Sequence, residues 1–235
     1  MHIYFRACEK QQTISNVTRF QNISKTEIIK RCWLSLQASI ADNDSITIIH
    51  DTVSDNTLAW LKGTSHTSNI NFIEVPDHDW SYHQHTVVLL DVLAEQIIKY
   101  PDDLHYIVED DYLHTPDAIS VLEDTLKNWE HFAVSYDYPD RYTMNPEPAM
   151  VLLGADRHWR TVTSSTMTVL AKGKTWSRFI EAIKPFGPTS NDQVFTHIYK
   201  QEPCISPLPG VASHMTDHHL TPLVDWLSIW EAQNV

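Results

Sequence analysis

Cysteine is scarce in this chain, where Cys8, Cys32 and Cys204 are the only three among 235 residues. An odd number of widely spaced cysteines is not the pattern of a disulfide framework, nor of a zinc site built from cysteines. It is typical of proteins that work in a reducing compartment. We therefore expect a cytoplasmic protein without a cysteine-based zinc site.

Glycine is also rare, with five residues in the whole chain. Loops that hold a nucleoside triphosphate are usually rich in glycine and carry a basic residue, because the backbone must approach the phosphates closely. No such loop follows the first predicted strand. This argues against enzymes that bind a triphosphate in that way.

Basic residues are few as well: 17 Lys and Arg stand against 30 Asp and Glu, for a net charge of −13. This balance argues against a nucleic-acid backbone as the main partner. The start of the chain lacks the basic and apolar regions of a signal peptide, and no apolar run is long enough to span a bilayer. Hydrophobic content of 42% is typical of a globular domain.

Strand and helix patterns alternate along the first half of the chain, which favours a mostly parallel α/β sheet flanked by helices. The predicted strands there are His2–Ala7, Ser45–Ile49 and Asn71–Val75, and the predicted helices are Lys25–Ile40 and Thr86–Lys99. In the second half we predict strands at Phe132–Asp137, Ala149–Leu153 and Thr161–Leu170, and helices at Thr175–Ile183, Gln193–Lys200 and Leu220–Trp230. No linker or repeat appears, so residues 1–235 are expected to form one domain.

Three consecutive carboxylates, Glu109, Asp110 and Asp111, follow the apolar run His105–Val108. Open α/β sheets present ligand groups at their carboxyl edge in this way. If strand geometry continues through the acids, Glu109 and Asp111 share one side of the strand and Asp110 takes the other. Crowded carboxylates repel one another, and a divalent cation with oxygen ligands would compensate. The alternative is a solvated acidic turn that precedes the helix predicted to start near Pro116.

The order Tyr106–Asp111, followed by Pro116-Asp117-Ala118-Ile119, resembles the metal-binding DXD motif of GT-A glycosyltransferases. Its Glu-Asp-Asp form is similar to that of the N-acetylglucosaminyltransferases that act on N-glycans. The resemblance implies a GT-A fold, with a nucleotide-sugar-binding half over about 1–115 and an acceptor-binding half, with a smaller β element, over about 116–235. It also implies that Asp111 holds a Mn²⁺ or Mg²⁺ ion that bridges the donor diphosphate, with Glu109 and Asp110 in the same donor site.

Three more residues are expected in that donor site. Asp51 closes the second strand, where similar enzymes use an Asp to hydrogen-bond the uracil, and the alternative is a plain turn residue. Arg6 would neutralise part of the diphosphate, or else pair with a surface acid. His83 lies in the polar segment Asp77–His85, which is expected to cover the carboxyl edge of the sheet near the ribose. The histidines of this segment lack a clear fourth partner for a zinc site.

Asp192 is the candidate catalytic base. The run Gly187–Asp192 before a helix resembles the acidic motif in which inverting GT-A enzymes keep their base. Sugar transfer needs a carboxylate within hydrogen-bond reach of the acceptor hydroxyl, so that it can take the proton. The alternative is that this segment only caps the helix, in which case Asp137 or Glu147 could be the base.

His214 occupies the place where several GT-A enzymes return a late histidine to the metal or the diphosphate. The alternatives are its neighbours His218 and His219, or an ordinary loop histidine without a ligand. The apolar face of the predicted helix Leu220–Trp230 is expected to pack on the domain itself, because the helix lacks the basic face that favours anionic lipid.

The resemblance thus implies a metal-dependent, inverting transferase that moves a sugar from a nucleoside diphosphate donor, UDP first, to a carbohydrate hydroxyl. One alternative is a sugar-phosphate nucleotidyltransferase, which the scarcity of glycine disfavours. Another is a non-catalytic carbohydrate-binding protein that uses Trp159, Trp176 and the aromatic loop Tyr138–Pro148. The sugar, the acceptor, the linkage and the oligomeric state are not determined by the sequence.

Overall fold

The structure is a computed structural model that describes residues 1–10, 19–76, 78, 83–143, 146–154 and 156–235. Up to residue 126 its elements are β1 (His2–Cys8), α1 (Lys25–Ser39), β2 (Ser45–Asp51), α2 (Asp55–Gly63), β3 (Ile70–Glu74), α3 (Gln84–Lys99), β4 (Leu104–Glu109), β5 (Tyr112–His114) and α4 (Ala118–Leu126). Then come β6 (Phe132–Ala133), α5 (Asp140–Thr143), β7 (Val151–Leu152), β8 (His158–Val162), β9 (Val169–Lys172), α6 (Gly173–Ile183), α7 (Gln193–Ile198), β10 (Cys204–Leu208), β11 (Ala212–His214) and α8 (Trp226–Ala232). Short 3₁₀ helices occupy Phe20–Asn22 and Lys184–Thr189.

One sheet of nine strands runs through both halves of the chain, in the order β3-β2-β1-β4-β9-β6-β10-β8-β7. The four strands β3-β2-β1-β4 are parallel, and the antiparallel pairs begin where β9 joins β4. A second, small sheet pairs β5 with β11 in antiparallel fashion. The expected α/β class, with a parallel sheet core, flanking helices and a smaller β element, is confirmed.

Helices cover both faces of the parallel strands. The α3 helix packs against β1, β2 and α6, whereas α1 packs against α2, α4 and β5. Strands covered in this way contain continuous apolar runs, such as the buried triplets Ile3-Tyr4-Phe5 and Tyr106-Ile107-Val108. Each large apolar side chain buried here contributes about 1.5–3 kcal/mol relative to exposure. The resulting core fixes the strand ends that carry the polar residues.

Several predicted elements have different bounds in the structure. The predicted strand Thr161–Leu170 is two strands, β8 and β9, and between them Thr166 donates its backbone N–H to the Tyr136 hydroxyl at 2.7 Å. Helix α2 was not predicted, although Ser54 caps it by accepting the N–H of Thr57. Its apolar face is too short to give a periodic signal.

The predicted strand Phe132–Asp137 is reduced to β6 and an isolated bridge from Tyr136 to Ala212. The predicted C-terminal helix begins only at Trp226, because Leu223 adopts a left-handed backbone conformation that interrupts a helix. Its two tryptophans, Trp226 and Trp230, are buried against the domain with Phe20, as expected. Among the described residues, every helix is too short or too polar to cross a membrane.

Parallel strands bring their carboxyl ends to one edge of the sheet, and residues paired in register lie side by side there. Cys8 at the end of β1 is paired with Asp51 at the end of β2. Arg6 is paired with Glu109 at the end of β4. This edge collects most of the residues for which chemistry was predicted.

Candidate active site

The pair Arg6–Glu109 lies at the centre of this edge. The guanidinium of Arg6 donates hydrogen bonds to Glu109 and, at 2.8 Å, to the hydroxyl of Thr86 in the first turn of α3. The other Glu109 oxygen accepts from Thr168 Oγ1 at 3.3 Å. Both charged side chains are largely buried. Arg6 therefore lies beside the acidic triplet and pairs with one of its members, and its predicted contact with a diphosphate stays a prediction.

Asp110 and Asp111 do not continue strand β4, which ends at Glu109. They form the turn to β5, so the predicted alternation of sides, with Glu109 and Asp111 together, is wrong. Both aspartates instead contact the ammonium of Lys25, which lies 2.5 Å from Asp110 Oδ1 and 3.1 Å from Asp111 Oδ2. The remaining Asp110 oxygen accepts the backbone N–H of Cys8 at 2.7 Å. A turn, unlike a strand, can direct neighbouring side chains to one cation.

Lys25 is the first residue of α1, directly after the cap residue Ser24, whose hydroxyl accepts the N–H of Glu27. A basic residue at a helix N-terminus is unfavourable by itself, because the helix dipole is positive there. Two aspartates offset that cost. The acidic triplet thus has two counter-charges, Arg6 and Lys25, for its three carboxylates.

The two aspartates differ in their electrostatics. Burial raises the pKa of Asp110 above its ordinary value, against the opposing effect of Lys25. At Asp111 burial acts in the same direction, but Lys25 and His214 outweigh it and hold the pKa well below the usual range. Asp111 is therefore ionised at neutral pH, which is the state that a metal ligand needs.

His214 is brought to Asp111 by the small sheet, in which His214 of β11 is paired with Tyr112 of β5. Its Nε2 atom lies 3.4 Å from Asp111 Oδ2, and its ring stacks on Tyr112 with centroids 5.2 Å apart. Burial lowers the pKa of His214, but the Asp111 carboxylate outweighs it and the pKa is raised overall. His219 stacks against His214 with centroids 5.9 Å apart, and His218 is exposed.

The donor set at this point fits a hard divalent ion. Mg²⁺ and Mn²⁺ accept one or two carboxylates and an imidazole and keep other positions for water and phosphate. Adjacent ligands of such an ion are roughly 3 Å apart, and Asp111 Oδ2 and His214 Nε2 are 3.4 Å apart. The ammonium of Lys25 occupies the same carboxylate oxygen, so an ion would have to displace it there.

Asp192 lies between the 3₁₀ helix Lys184–Thr189 and α7. It precedes α7 in a helical backbone conformation, and its side chain makes no capping hydrogen bond. The neighbouring Asn191 accepts the N–H of Gln193 instead, at 3.1 Å. Burial, followed by the charge of Glu109, raises the pKa of Asp192 to about 7, with Arg6 opposing the rise. A carboxyl group that titrates near neutral pH is suited to accept a proton in catalysis.

A chain of hydroxyls links this segment to the arginine. Thr86 Oγ1 lies 2.7 Å from Ser190 Oγ and also accepts from Arg6. Ser190 has a left-handed backbone, with φ of 46°, which turns the chain toward Asp192. Thr86, Ser190 and Lys25 were not predicted as site residues. Only Lys25 left a signal in the sequence, as a basic residue in the first turn of a predicted helix.

The other two candidate bases, Asp137 and Glu147, both form ion pairs with arginines. Asp137 is buried and receives Arg160 Nε at 2.7 Å, Arg160 Nη2 at 2.6 Å and the Tyr142 hydroxyl at 2.5 Å. Glu147 pairs with Arg141 and accepts from Thr163 Oγ1 at 2.5 Å. Neither carboxylate is placed beside Arg6 and Glu109 by these contacts.

Asp51 lies at the same sheet edge but is only 2% exposed. Its Oδ2 atom accepts from His85 Nδ1 at 3.0 Å and lies 3.5 Å from His78 Nε2. His83 is nearby, with its ring edge-on to that of His85 at 5.6 Å. The uracil contact predicted for Asp51 stays a prediction, and it would require the carboxylate to exchange these imidazoles. Residues 77 and 79–82 of the same segment lie outside the described residues.

The two tryptophans suggested for a carbohydrate-binding protein are in the core. Trp159 is 5% exposed and Trp176 is fully buried, and the Trp176 indole donates to the His105 carbonyl at 3.1 Å. Neither ring offers a face on which a sugar could stack. This part of the carbohydrate-binding alternative is wrong.

No protein-family model and no curated protein matches this chain. Solved structures do match. Residues 1–349 of S. aureus TarS align with a TM-score of 0.51 at 11% identity, over 83% of this chain and 54% of that one. The same TarS fragment in complex with UDP gives a TM-score of 0.50 at 10% identity, with the same coverage. The expectation of a GT-A-type fold is confirmed.

Two further structures are similar at lower scores. An active-site mutant of LgtC gives a TM-score of 0.47 at 15% identity, over 86% of this chain and 70% of that one. A 4-diphosphocytidyl-2C-methyl-D-erythritol synthase gives 0.47 at 10% identity, over 86% and 87%. At these identities the likeness is one of fold alone, and this chain spans about half of the TarS fragment.

Proposed function

We propose that this chain is a glycosyltransferase that moves a sugar from a nucleoside diphosphate donor to a carbohydrate hydroxyl, with inversion and with a bound divalent ion. UDP is the first nucleotide to test, since the TarS fragment of similar fold has been solved in complex with UDP. In this proposal residues of about 1–115 bind the donor and residues of about 116–235 bind the acceptor.

One observation carries the proposal. Strand register and the small sheet bring Arg6, Glu109, Asp111 and His214 to one edge of the sheet, where Asp111 Oδ2 lies 3.4 Å from His214 Nε2. Near this edge burial, followed by the charge of Glu109, raises the pKa of Asp192 to about 7, with Arg6 opposing the rise. In the proposed function Asp192 would be the proton acceptor, and Asp111 and His214 would be the metal ligands. Single-displacement sugar transfer requires both of these functions.

The proposed reaction uses Asp192 as general base. Its carboxylate takes the proton of the acceptor hydroxyl while that oxygen attacks the anomeric carbon, and the bond from this carbon to the donor phosphate breaks. Attack from the opposite side of the leaving group inverts the anomeric centre. The pKa near 7 lets the carboxylate be ionised at working pH and still be basic enough to accept a proton.

Charge on the leaving diphosphate is stabilised from the donor side. Arg6 and Lys25 supply two cations that are already fixed by their partners, and such preorganised charge requires little rearrangement during the reaction. Asp111 and His214 would hold Mn²⁺ or Mg²⁺, whose contribution is Lewis-acid stabilisation of the departing phosphate, worth several kcal/mol. Glu109 fixes Arg6 and raises the proton affinity of Asp192.

The test is a thermal-shift screen of UDP, other nucleoside diphosphates and their sugars, each with and without Mn²⁺. A selective ligand at 100 times its Kd stabilises the fold by about 2.7 kcal/mol. Asp111→Ala should abolish Mn²⁺-dependent UDP binding. The variant also loses the partner of Lys25 and His214, so the shift caused by UDP and Mn²⁺ is measured against the metal-free melting temperature of the same variant. Asp42→Ala, which removes an exposed carboxylate from the turn before β2, is the matched control and should bind like the parent.

The reaction products separate the enzyme classes. A glycosyltransferase releases free UDP from a UDP-sugar, by transfer or by slow hydrolysis, whereas a nucleotidyltransferase releases pyrophosphate from a nucleoside triphosphate. Binding without either product would favour a non-catalytic protein. If no nucleoside diphosphate stabilises the chain in either metal condition, the proposed function is wrong.

A further inference from the structure

A second group of potential metal ligands lies at the sheet edge, apart from Asp111 and His214. It consists of Cys8, Asp51 and His85, which each offer one ligand atom, and these atoms lie within 4.8 Å of one another. Asp51 and His85 are buried and Cys8 is half-buried. From the sequence we expected no cysteine-based zinc site. The three residues are far apart in the sequence, so their proximity could not be predicted from it.

The fold holds these three residues together. Cys8 and Asp51 end the adjacent parallel strands β1 and β2 and are partners in the strand register. His85 is in the first turn of α3, and its Nδ1 donates to Asp51 at 3.0 Å. The same carboxylate oxygen lies 3.5 Å from His78 Nε2. The Nδ1 of His78 donates to the Pro76 carbonyl at 2.9 Å, which orients the ring.

We propose that Cys8, Asp51 and His85 form a binding site for a zinc-type divalent ion. One thiolate, one imidazole and one carboxylate are a ligand set that Zn²⁺ accepts, at about 2.3 Å for sulfur and 2.0–2.2 Å for nitrogen and oxygen. Around a tetrahedral ion such atoms are roughly 3.3–3.7 Å apart. The ligand atoms of Cys8, Asp51 and His85 lie within 4.8 Å of one another. Each of them would have to move by roughly 1 Å or less to reach the spacing around a tetrahedral ion.

The arrangement and the chemistry of the group favour a metal ion. Cys8 and Asp51 are adjacent at the strand ends and His85 contacts the same carboxylate, so the three ligand atoms already face one another. A bound Zn²⁺ would displace the thiol proton. The soft sulfur ligand also distinguishes this site from one for Mn²⁺ or Mg²⁺.

An ion here would clamp the ends of β1 and β2 to the start of α3. His85 is followed directly by Thr86, whose hydroxyl contacts both Arg6 and Ser190. The ion would thereby help to hold the contacts that join Arg6, Thr86 and Ser190. The inference does not depend on the proposed function, because metal binding can be measured without substrate.

The experiment uses the whole chain, freed of metal with a chelator and titrated with Zn²⁺ against a chromophoric competitor. We expect one tight Zn²⁺ site, weakened at least about tenfold in Cys8→Ser and His85→Gln. Cys204→Ser is the matched control, because Cys204 is a buried free cysteine on β10, in the other half of the sheet. Equal Zn²⁺ affinity of Cys8→Ser and the parent would overturn the proposal.

Two further measurements decide the result if Cys8→Ser does not fold. Co²⁺ added to the parent chain should give a thiolate-to-cobalt charge-transfer band in the near ultraviolet, and its absence would exclude a cysteine ligand. Saturating Zn²⁺ should protect Cys8 of the parent from alkylation, as mapped by mass spectrometry, whereas Mn²⁺ should not. Cys8 alkylated at the same rate with and without Zn²⁺ would contradict the proposed site.

Discussion

Replacing Asp192 by Asn should have opposite effects on activity and on stability. The amide keeps the shape of the side chain but cannot be ionised, so a proton acceptor is lost. If Asp192 is the base, the turnover number should fall by about 10²–10⁴. The same change removes a carboxylate whose ionisation is unfavourable in the folded state, because burial and Glu109 raise its pKa to about 7. At alkaline pH the inactive variant should therefore be the more stable protein.

The sign and size of the stability effect follow from proton linkage. Between about pH 4 and pH 7 the folded chain keeps a proton on Asp192 that the unfolded chain has lost, so the free energy of unfolding falls as the pH rises. Moving the pKa from 3.8 to about 7 spans about three pH units, each worth about 1.4 kcal/mol, which sets an upper limit of about 4 kcal/mol. Because the side chain is partly exposed, we expect about 2–4 kcal/mol.

The assay is chemical denaturation of parent and Asp192→Asn at pH 4, 6 and 8. Their stabilities should coincide near pH 4 and differ by about 2–4 kcal/mol at pH 8, which corresponds to roughly 5–15 °C in melting temperature for a chain of this size. Asp42→Asn, which removes an exposed carboxylate in the turn before β2, is the control. If Asp192→Asn follows the pH dependence of the parent, Asp192 does not have the environment described here.

Three other predictions concern the same edge. Glu109→Gln removes the charge that raises the pKa of Asp192, so the rise of kcat/KM with pH should move to lower pH; an unmoved profile would mean that another group titrates. His214→Ala should weaken Mn²⁺ binding by about ten- to a hundredfold and remove its pH dependence. In the parent, protons should compete with the metal increasingly as the pH falls, because Asp111 outweighs burial and raises the pKa of His214. Calorimetry from pH 5.5 to 8 would show the same pH dependence in both proteins if the histidine were not a ligand. Lys25→Met frees Asp111 from a charged hydrogen bond worth about 1.5–3 kcal/mol, so Mn²⁺ should bind about ten- to a hundredfold more tightly without nucleotide. Unchanged binding would contradict the sharing of this oxygen between Lys25 and the ion.

The acidic triplet Glu109–Asp111 shows that the partners of charged side chains cannot be predicted from the sequence alone. Three adjacent carboxylates require positive charge, and a divalent ion was the expected source. In the fold, Arg6 pairs with Glu109 across 103 positions of sequence, and Lys25 reaches Asp110 across 85. Side-chain cations therefore hold the triplet before any ion binds, and a metal site must be argued from Asp111 and His214 separately.

Local pattern by itself determined the α/β class, most of the helices and strands of the first half, and the position of the acids at a strand end. These follow from the periodicity of apolar residues and from the residues that start or stop an element, which act over a few positions. The same information does not fix strand order. In the fold, β9 pairs with β4 in antiparallel fashion. The predicted strand Thr161–Leu170 is divided into two strands, between which Thr166 contacts the distant Tyr136 hydroxyl.

Only the tertiary structure decided which candidate residues lie next to one another and which of them form ion pairs or have shifted pKa values. The sequence favoured Asp192 as base and kept Asp137 and Glu147 as alternatives. In the fold Asp137 and Glu147 pair with arginines, whereas burial and the charge of Glu109 raise the pKa of Asp192. Strand register likewise put Cys8 next to Asp51. The pKa of a side chain and the geometry of a metal site depend on neighbouring groups within a few ångströms. Those neighbours come from distant segments of the chain, and the number of residues between two segments does not tell how close they lie in the fold.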